Sequence, residues 1–403
     1  MGRKNRNSVY MRYSKIIFVI CFLITAVVFF IRCSDSSAKD PRGTEYAGSQ
    51  TCITCHKDIG QAHLASYHYK TSGKTSYAEL QQLVSAGQNI VYYDDLANVS
   101  VEERQSQFFQ LYNKGGKELR SEPFDISIGS GEKAHSFAYW KNEQLFQLPL
   151  TYFTSLHRWT NSPGYPVRQP YFDRVILSRC LECHASYVDK TEFETTPLQI
   201  SEKLSAGSLI LGIDCERCHG PAAQHATFHQ EHPQERQAKF IASIRSLSRQ
   251  QQLDLCASCH SGNDLDVQRS LFHFRPGDTL ANFYYPYFGT GNKKEPDVHG
   301  KQMQLLQASK CFQQSNMTCG SCHDGHQLND KKTDMFIAKC MTCHQNSEHA
   351  LQMKTVNKNC IDCHMPLQPS RALNFNNGSE LKSIPYMLRS HWIAIYPETS
   401  EQK

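Results

Sequence analysis

The sequence predicts a fold of mainly short helices and long ordered loops, with one small β subdomain in the first half of the chain. Two observations predict it. The motif Cys-x-x-Cys-His occurs seven times in 403 residues, and the intervals between successive motif starts are 128, 35, 41, 63, 21 and 20 residues. Within the long first interval, the alternation of apolar and polar residues is typical of β-strands. The motifs are therefore densest toward the C-terminal end, and the strand-like residues lie between the first and second motifs.

The seven motifs have the spacing at which c-type haem is attached to a protein. Two thiols at i and i+3 add across the two vinyl groups of one porphyrin, and the adjacent histidine reaches the iron as the proximal ligand. We number the motifs as sites 1 to 7 in chain order. Their thiols are Cys52 and Cys55, Cys180 and Cys183, Cys215 and Cys218, Cys256 and Cys259, Cys319 and Cys322, Cys340 and Cys343, and Cys360 and Cys363. Their proximal histidines are His56, His184, His219, His260, His323, His344 and His364.

Other uses of cysteine do not fit this pattern. Zinc ribbons pair Cys-x-x-Cys knuckles but do not demand a histidine after each one. A disulfide framework would not place cysteines at i and i+3 seven times, and thioredoxin-like motifs rarely repeat. The motifs use 14 of the 17 cysteines and leave Cys21, Cys33 and Cys311. The sequence therefore predicts seven covalently bound haem c groups.

The predicted fold class is a multihaem cytochrome c, in which short helices and loops wrap around seven haems and a small β subdomain is inserted between sites 1 and 2. Porphyrins replace much of the apolar core, so that little regular structure is required. Two hairpins are expected in the insertion. One pairs Ser106–Tyr112 with Leu119–Phe124, and the other pairs Ser136–Trp140 with Leu145–Thr151.

Five segments follow from these patterns. We expect a signal-anchor or signal peptide at 1–38, a first haem-binding segment at 39–87, a β-rich insertion at 88–175, a six-haem cytochrome c region at 176–395 and a C-terminal tail at 396–403.

The first 38 residues resemble a targeting segment. A basic stretch without acids precedes Ile16–Ile31, 16 residues whose only polar member is Thr25. This run is slightly long for a signal-peptide core and slightly short for a span of about 20 residues. We favour an uncleaved anchor, and a signal cleaved after Ala38 stays open. A lipid anchor on Cys33 is disfavoured because Arg32 lies where a small residue is expected.

The charge distribution points to a location outside the cytoplasm. The leader carries six basic residues and one acid, which accounts for the formal charge of +5, and the remaining chain carries 37 charges of each sign. The positive-inside rule then sends residues 39–403 to the periplasmic or cell-surface side of a bacterial inner membrane. With no basic patch, the sequence does not predict binding to nucleic acid. Expected partners are the membrane, through the N-terminal segment, and redox proteins or a quinol-side donor.

The sixth coordination position of each iron needs a second ligand or stays open. Electron-transfer haems fill this position with histidine or methionine, whereas a haem that carries out chemistry leaves it open or weakly held. Outside the motifs lie 12 histidines, enough for seven bis-histidine haems. The surplus favours bis-histidine ligation.

Several blocks resemble the multihaem cytochrome c superfamily that includes pentahaem nitrite reductase, hydroxylamine oxidoreductase and their small tetrahaem electron carriers. The resemblance is carried by Tyr46–Cys52 with Ser66-Tyr-His68, Cys215–Pro221 with His225, His299-Gly300 with Cys319–His326, and Cys360–Pro366. It spans residues 45–395 and is specific only at these blocks. On that basis the candidate distal ligands are His68, His225, His299, His326, His349 and His391. The seventh is unassigned among His63, His135, His229 and His273.

The departures from this superfamily bear on activity. No motif ends in lysine, as the catalytic motif of the related nitrite reductases usually does, and a cross-linking tyrosine cannot be chosen among 19 tyrosines. No catalytic residue is therefore predicted. The leading hypothesis is an electron carrier with closely packed, mostly bis-histidine haems. The alternative is a multihaem oxidoreductase that acts on a small nitrogen or sulfur compound at one haem with an open sixth position.

Overall fold

The computed structural model describes residues 40–86, 88–196, 199–262, 264, 266–285, 296–327, 333–345, 359–376 and 383–396. The chain divides into two compact units, Met1–Tyr46 and Ala47–Lys403. In the described part of the first unit, the Arg42 guanidinium pairs with Asp40 at 2.9 Å and lies over the Tyr46 ring. The predicted leader lies outside the described residues. Within those residues, no helix has the length and apolar character needed to cross a membrane.

The helices of the second unit are short. Among the described residues they are α1 (Ser49–Cys55), α2 (Lys57–Ala65), α3 (Tyr77–Ser85), α4 (Ser178–His184), α5 (Cys215–His219), α6 (Ala223–Glu231), α7 (Arg249–His260), α8 (Gln302–Gln307), α9 (Lys310–Gln313), α10 (Thr333–Met341) and α11 (Cys360–His364). Side-chain caps begin several of them, and Ser248 and Gln251 form a capping box at α7. By contrast, α1, α6, α10 and α11 bury no side chain.

In the part of the chain that the structure describes, the strands form two larger sheets and three hairpin-sized pairs. They are β1 (Ser72–Lys74), β2 (Ile90–Tyr92), β3 (Ala97–Arg104), β4 (Gln107–Lys114), β5 (Lys117–Pro123), β6 (Ile126–Ile128), β7 (Ala134–Lys141), β8 (Gln144–Gln147), β9 (Leu150–Phe153), β10 (Arg158–Asn161), β11 (Arg174–Ile176), β12 (Ala185–Tyr187), β13 (Lys190–Thr196), β14 (Gln199–Leu204), β15 (Ile210–Leu211), β16 (Leu367–Asn376) and β17 (Ser383–Arg389). One sheet has the order β2-β3-β4-β5, and the other has the order β1-β6-β7-β8-β11, with β9 and β10 joined through β7. The pairs are β12-β15, β13-β14 and β16-β17.

Tight turns of positive φ connect the antiparallel strands. Gly115 and Gly116, at φ 59° and 76°, join β4 to β5, and Asn142 and Glu143, at 51° and 61°, join β7 to β8. Two consecutive residues of positive φ match the right-handed twist of the strands that they join. Glycine adopts this conformation without steric cost. These turns set the register of both hairpins.

The two larger sheets share one apolar core. Val99 and Val101 of β3 pack with Phe137 of β7 and Leu150 of β9, and all four side chains are fully buried. Buried Gln110 connects the sheets, since its amide donates to the Leu150 carbonyl at 2.9 Å and its oxygen accepts from the Leu150 N–H at 2.8 Å. The two sheets therefore have an apolar cluster of their own, formed by residues outside the motifs.

The β content exceeds the small subdomain that the sequence predicts. Strands β12 to β15 follow site 2, and β16 with β17 follows site 7. The last hairpin packs back on the first half of the chain, with Phe375 and Tyr386 at ring distances of 5.4 and 6.2 Å from Phe153. This packing joins residues more than 200 positions apart, so that local periodicity gives no sign of it.

Candidate functional site

Each of the seven motifs lies on or at the end of a helical segment. Sites 1, 2, 3 and 7 lie on α1, α4, α5 and α11, and site 4 occupies the last turn of α7. Site 5 begins on the 3₁₀ turn Cys319–Ser321, and site 6 begins at the end of α10. Residues three apart on a helix lie on the same face. The two thiols of each motif are therefore directed to the same side.

All seven motifs line one cavity of about 4450 Å³ in the second unit. Shared equally, this volume gives about 640 Å³ per motif, within the range of roughly 300–1,000 Å³ for a single small-molecule site. A cavity of this size explains why α1, α6, α10 and α11 bury no side chain, because their apolar faces line the cavity and not a protein core.

Four proximal histidines each face a histidine from a distant part of the chain. The ring centres are separated by 6.4 Å in His56–His225, 6.0 Å in His219–His326, 6.2 Å in His323–His391 and 6.2 Å in His68–His260. The ring planes of the first three pairs are nearly parallel, with interplanar angles of 13°, 14° and 29°, and those of the fourth are almost perpendicular, at 76°.

These spacings fit one metal ion between each pair of rings. An imidazole nitrogen binds a transition metal at about 2 Å, and the ring centre lies roughly 1 Å farther away, so that two imidazoles on opposite sides of an ion have centres about 6 Å apart. Two histidine rings in direct contact have closer centres, as in His225–His229 at 4.6 Å. The four long pairs leave room for an iron.

The orientation of several rings is set by a hydrogen bond from Nδ1. Four Nδ1–H groups donate to backbone carbonyls: His68 to Gly325 at 3.3 Å, His219 to Ala242 at 3.1 Å, His225 to Lys239 at 2.8 Å and His364 to Ala394 at 2.9 Å. A hydrogen bond at Nδ1 fixes the tautomer in which Nε2 carries the free lone pair. These rings are therefore prepared to bind a metal through Nε2.

Burial favours the neutral form of six of the histidines in or near the cavity. Loss of solvent lowers the pKa of His68, His184, His219, His299 and His323. At His391 burial, together with the neighbouring His323 and His260 rings, lowers the pKa to about 4. Neutral imidazole is the form that binds metals.

The proximal histidine of site 2 also has a histidine neighbour, which lies next to the buried carboxylate of Asp297. His299 is an electrostatic neighbour of His184. The loop that carries His299 is held by Asp297, which accepts hydrogen bonds from the His299 N–H at 2.8 Å, the Arg371 N–H at 2.6 Å and the Ser370 hydroxyl at 2.9 Å. On the other side, the His184 Nδ1 lies 3.1 Å from the Thr71 hydroxyl.

Thiols of different motifs also meet. Cys52 hydrogen-bonds to Cys215, and the contact lowers the pKa of the Cys215 thiol to about 7. The contact with Cys256 lowers the pKa of the Cys319 thiol to about 7 in the same way. A third contact joins Cys183 to Cys259. Sites 1 and 3, 4 and 5, and 2 and 4 are therefore in direct contact before any group is attached.

The remaining candidate histidines have other surroundings. The His63 Nε2 donates to the Ile213 carbonyl at 2.8 Å, which occupies the nitrogen that a metal needs, and His229 contacts His225. The ring of His135 lies 3.1 Å from Glu79 and stacks on Phe137, away from the cavity lining, and His273 is exposed. His349 lies outside the described residues.

Two buried carboxylates connect the motifs, and sequence reasoning did not assign them a role. Glu216, inside site 3, accepts hydrogen bonds from the N–H groups of Ala47, Gly48 and Ala222 at 2.8–2.9 Å. Glu182, inside site 2, accepts from the Ser270 hydroxyl at 2.6 Å and the Leu271 N–H at 3.0 Å. One sign of them is present in the sequence: a charged residue lies between the two cysteines of the motif. The fold then buries this residue.

The match to a protein family agrees with the motif chemistry. Residues 167–220, which include sites 2 and 3, match the family model described as cytochrome c554 and c-prime. A solved structure titled as the outer cell wall cytochrome OcwA is 16% identical, covers 87% of this chain and 80% of its own, and has a TM-score of 0.48. No curated protein matches the chain. The family match, together with the motifs, supports a multihaem cytochrome c that binds haem c covalently.

Proposed function

We propose that this chain is a heptahaem c-type cytochrome that carries electrons outside the cytoplasm through closely packed, mostly bis-histidine haems. The observation that carries the proposal is the set of facing imidazoles in the cavity, whose ring centres lie 6.0–6.4 Å apart. That spacing suits an iron between each pair and matches the ligation of low-spin electron-transfer haems.

The pairs assign distal ligands to individual sites. His225 serves site 1, His326 serves site 3, His68 serves site 4 and His391 serves site 5. For site 2 we assign His299, the electrostatic neighbour of His184. In each case the distal ligand comes from a segment that belongs to another site, so that ligation crosses between segments and holds them together.

The residues around each site tune its function. Haem supplies one-electron redox chemistry, and the protein sets the potential through its axial ligands, hydrogen bonds and burial. The Nδ1 hydrogen bonds of His219 and His225 to carbonyls make their Nε2 atoms better donors, which favours the ferric state. Exposed thiols at Cys55, Cys180, Cys343 and Cys363 make sites 1, 2, 6 and 7 suited to the entry and exit of electrons at the surface.

The proposed location follows from the leader and from haem attachment, which takes place outside the cytoplasm. The N-terminal segment would hold the protein at the membrane, and a quinol-side donor or a redox protein would supply electrons. The acceptor would be a periplasmic or cell-surface protein.

Spin state tests the proposal. In the oxidised, haem-loaded protein, optical and electron paramagnetic resonance (EPR) spectra should show low-spin ferric haem at the five paired sites, and reduction should be reversible and proceed in several one-electron steps. A spectrum dominated by high-spin haem would contradict bis-histidine ligation. One high-spin haem in seven would instead favour the oxidoreductase.

A further inference from the structure

We propose that site 4 is the junction of the electron path, from which three arms leave: site 2, sites 3 and 1, and sites 5, 6 and 7. The inference rests on the proposed function, because it assigns an order to haems that the proposed function requires. It concerns the residues that bring the attachment motifs together.

The contact between sites 4 and 2 lies at Cys259. This thiol meets Cys183 and also lies 3.7 Å from the carbonyl oxygen of Glu182, the residue before Cys183. The helices that carry the two motifs, α4 and α7, pack against each other. The buried Glu182 side chain fixes this arrangement through Leu271, which belongs to the same apolar cluster as Leu253 and Ala257 of α7.

The contact between sites 4 and 5 lies at the other thiol of site 4. Cys256 meets Cys319, and α7 packs against the turn Cys319–Ser321. At the start of α7, Arg249 donates hydrogen bonds at 3.0 Å to the carbonyls of Phe312 and Met317, which lie just before site 5. Each of the two thiols of site 4 therefore faces a different motif.

Site 3 reaches the same junction. The Arg217 guanidinium donates at 3.2 Å to the Glu182 carbonyl, the acceptor that Cys259 also approaches. Site 3 is in turn bound to site 1 through Cys52–Cys215 and through Glu216, which accepts from the N–H groups before α1. Sites 1 and 3 thus form a second branch.

The path continues from site 5 to the C-terminal sites. The His323 ring lies 5.3 Å from Phe336 on α10, and α10 packs against α11. Three arms therefore leave site 4: site 2, sites 3 and 1, and sites 5, 6 and 7. Each step along an arm moves one electron from a ferrous to a ferric iron, with no bond formed or broken.

The iron positions in the haem-loaded protein test this order. Crystals of the full mature chain, with the irons located by their anomalous scattering, should show the site 4 iron between those of sites 2 and 5. Finding sites 2 and 5 as direct neighbours, or site 4 at an end, would overturn the junction. Fewer than seven irons in fully matured protein would count against the proposed function, and the order of the remaining irons would still decide the junction.

A solution experiment uses a matched pair of variants. His68→Ala makes the iron at site 4 high-spin, and His225→Ala does the same at site 1. A fast-relaxing high-spin iron enhances the relaxation of nearby low-spin signals, so that His68→Ala should affect the signals of more haems than His225→Ala. Equal effects, or a larger effect from site 1, would contradict the proposed order. The haem content of both variants is measured first, and a variant that loses haem is replaced by the corresponding His→Gly variant.

Discussion

His391 offers the sharpest test of an individual ligand. Its ring lies 6.2 Å from His323 with an interplanar angle of 29°, and burial lowers its pKa to about 4. The segment is held in place by Ser309, whose hydroxyl accepts from the Ile393 N–H at 2.8 Å. Because this hydrogen bond does not involve the His391 ring, His391→Ala should remove the ligand and leave the backbone in place.

The expected effect is confined to one iron. With seven attachment sites, one-seventh of the haem should change from low to high spin, and the same fraction should bind carbon monoxide in the reduced state. The haem count should stay at seven, since both thiols of site 5 are intact. The potential of that haem should rise, because loss of a basic imidazole disfavours the ferric state.

The measurement is an EPR and optical comparison of His391→Ala with wild type and with His273→Ala, whose exposed ring lies outside the cavity lining. Added imidazole should restore the low-spin spectrum of His391→Ala by occupying the space of the missing ring. If the His391→Ala spectrum matches that of the control, His391 is not a ligand, and the assignment of pairs by ring spacing fails at this site.

Three further predictions concern the sites and the leader. Replacing Cys319 and Cys322 by Ala should give six haems by mass and weaken the contacts of site 4, and seven retained haems would refute attachment there. Protein with residues 1–38 intact should fractionate with membranes, whereas a soluble form beginning at Lys39 would show a cleaved signal. Burial alone would raise the pKa of Asp297, but its hydrogen bonds from His299, Arg371 and Ser370 outweigh that effect and lower it. The stability that Asp297 contributes should therefore be fully present at pH values above 3.8, the ordinary pKa of the carboxyl group. It should be lost as the pH falls below that value. An acid titration of the low-spin signal from the haem that His299 would bind measures this loss of stability. The loss should be absent in the Asp297→Asn variant.

The local part of the fold could be read from the sequence. Gly115 and Gly116, which lie between β4 and β5, have positive φ, and so do Asn142 and Glu143, which lie between β7 and β8. Both follow from short-range turn chemistry and alternation. The β16–β17 hairpin could not be read in this way, because Phe375 and Tyr386 acquire their partner Phe153 only through tertiary packing.

In the candidate site, too, the residues set by local sequence could be predicted, and those brought together by tertiary packing could not. The thiols and proximal histidines are set by a motif within five residues, so that the sequence alone identifies them. The facing rings are far apart in the chain: 192 residues separate His68 from His260, and 169 separate His56 from His225. Spacing carries no information at that range, and the pairing became visible only when the fold brought the rings to about 6 Å.

The number of covalent haems tests the central claim most directly. Intact mass spectrometry and a pyridine haemochrome assay on fully matured protein should both give seven haems per chain, one for each motif. Six or fewer in protein whose maturation is complete would contradict the account, because at least one Cys-x-x-Cys-His motif would then serve another purpose.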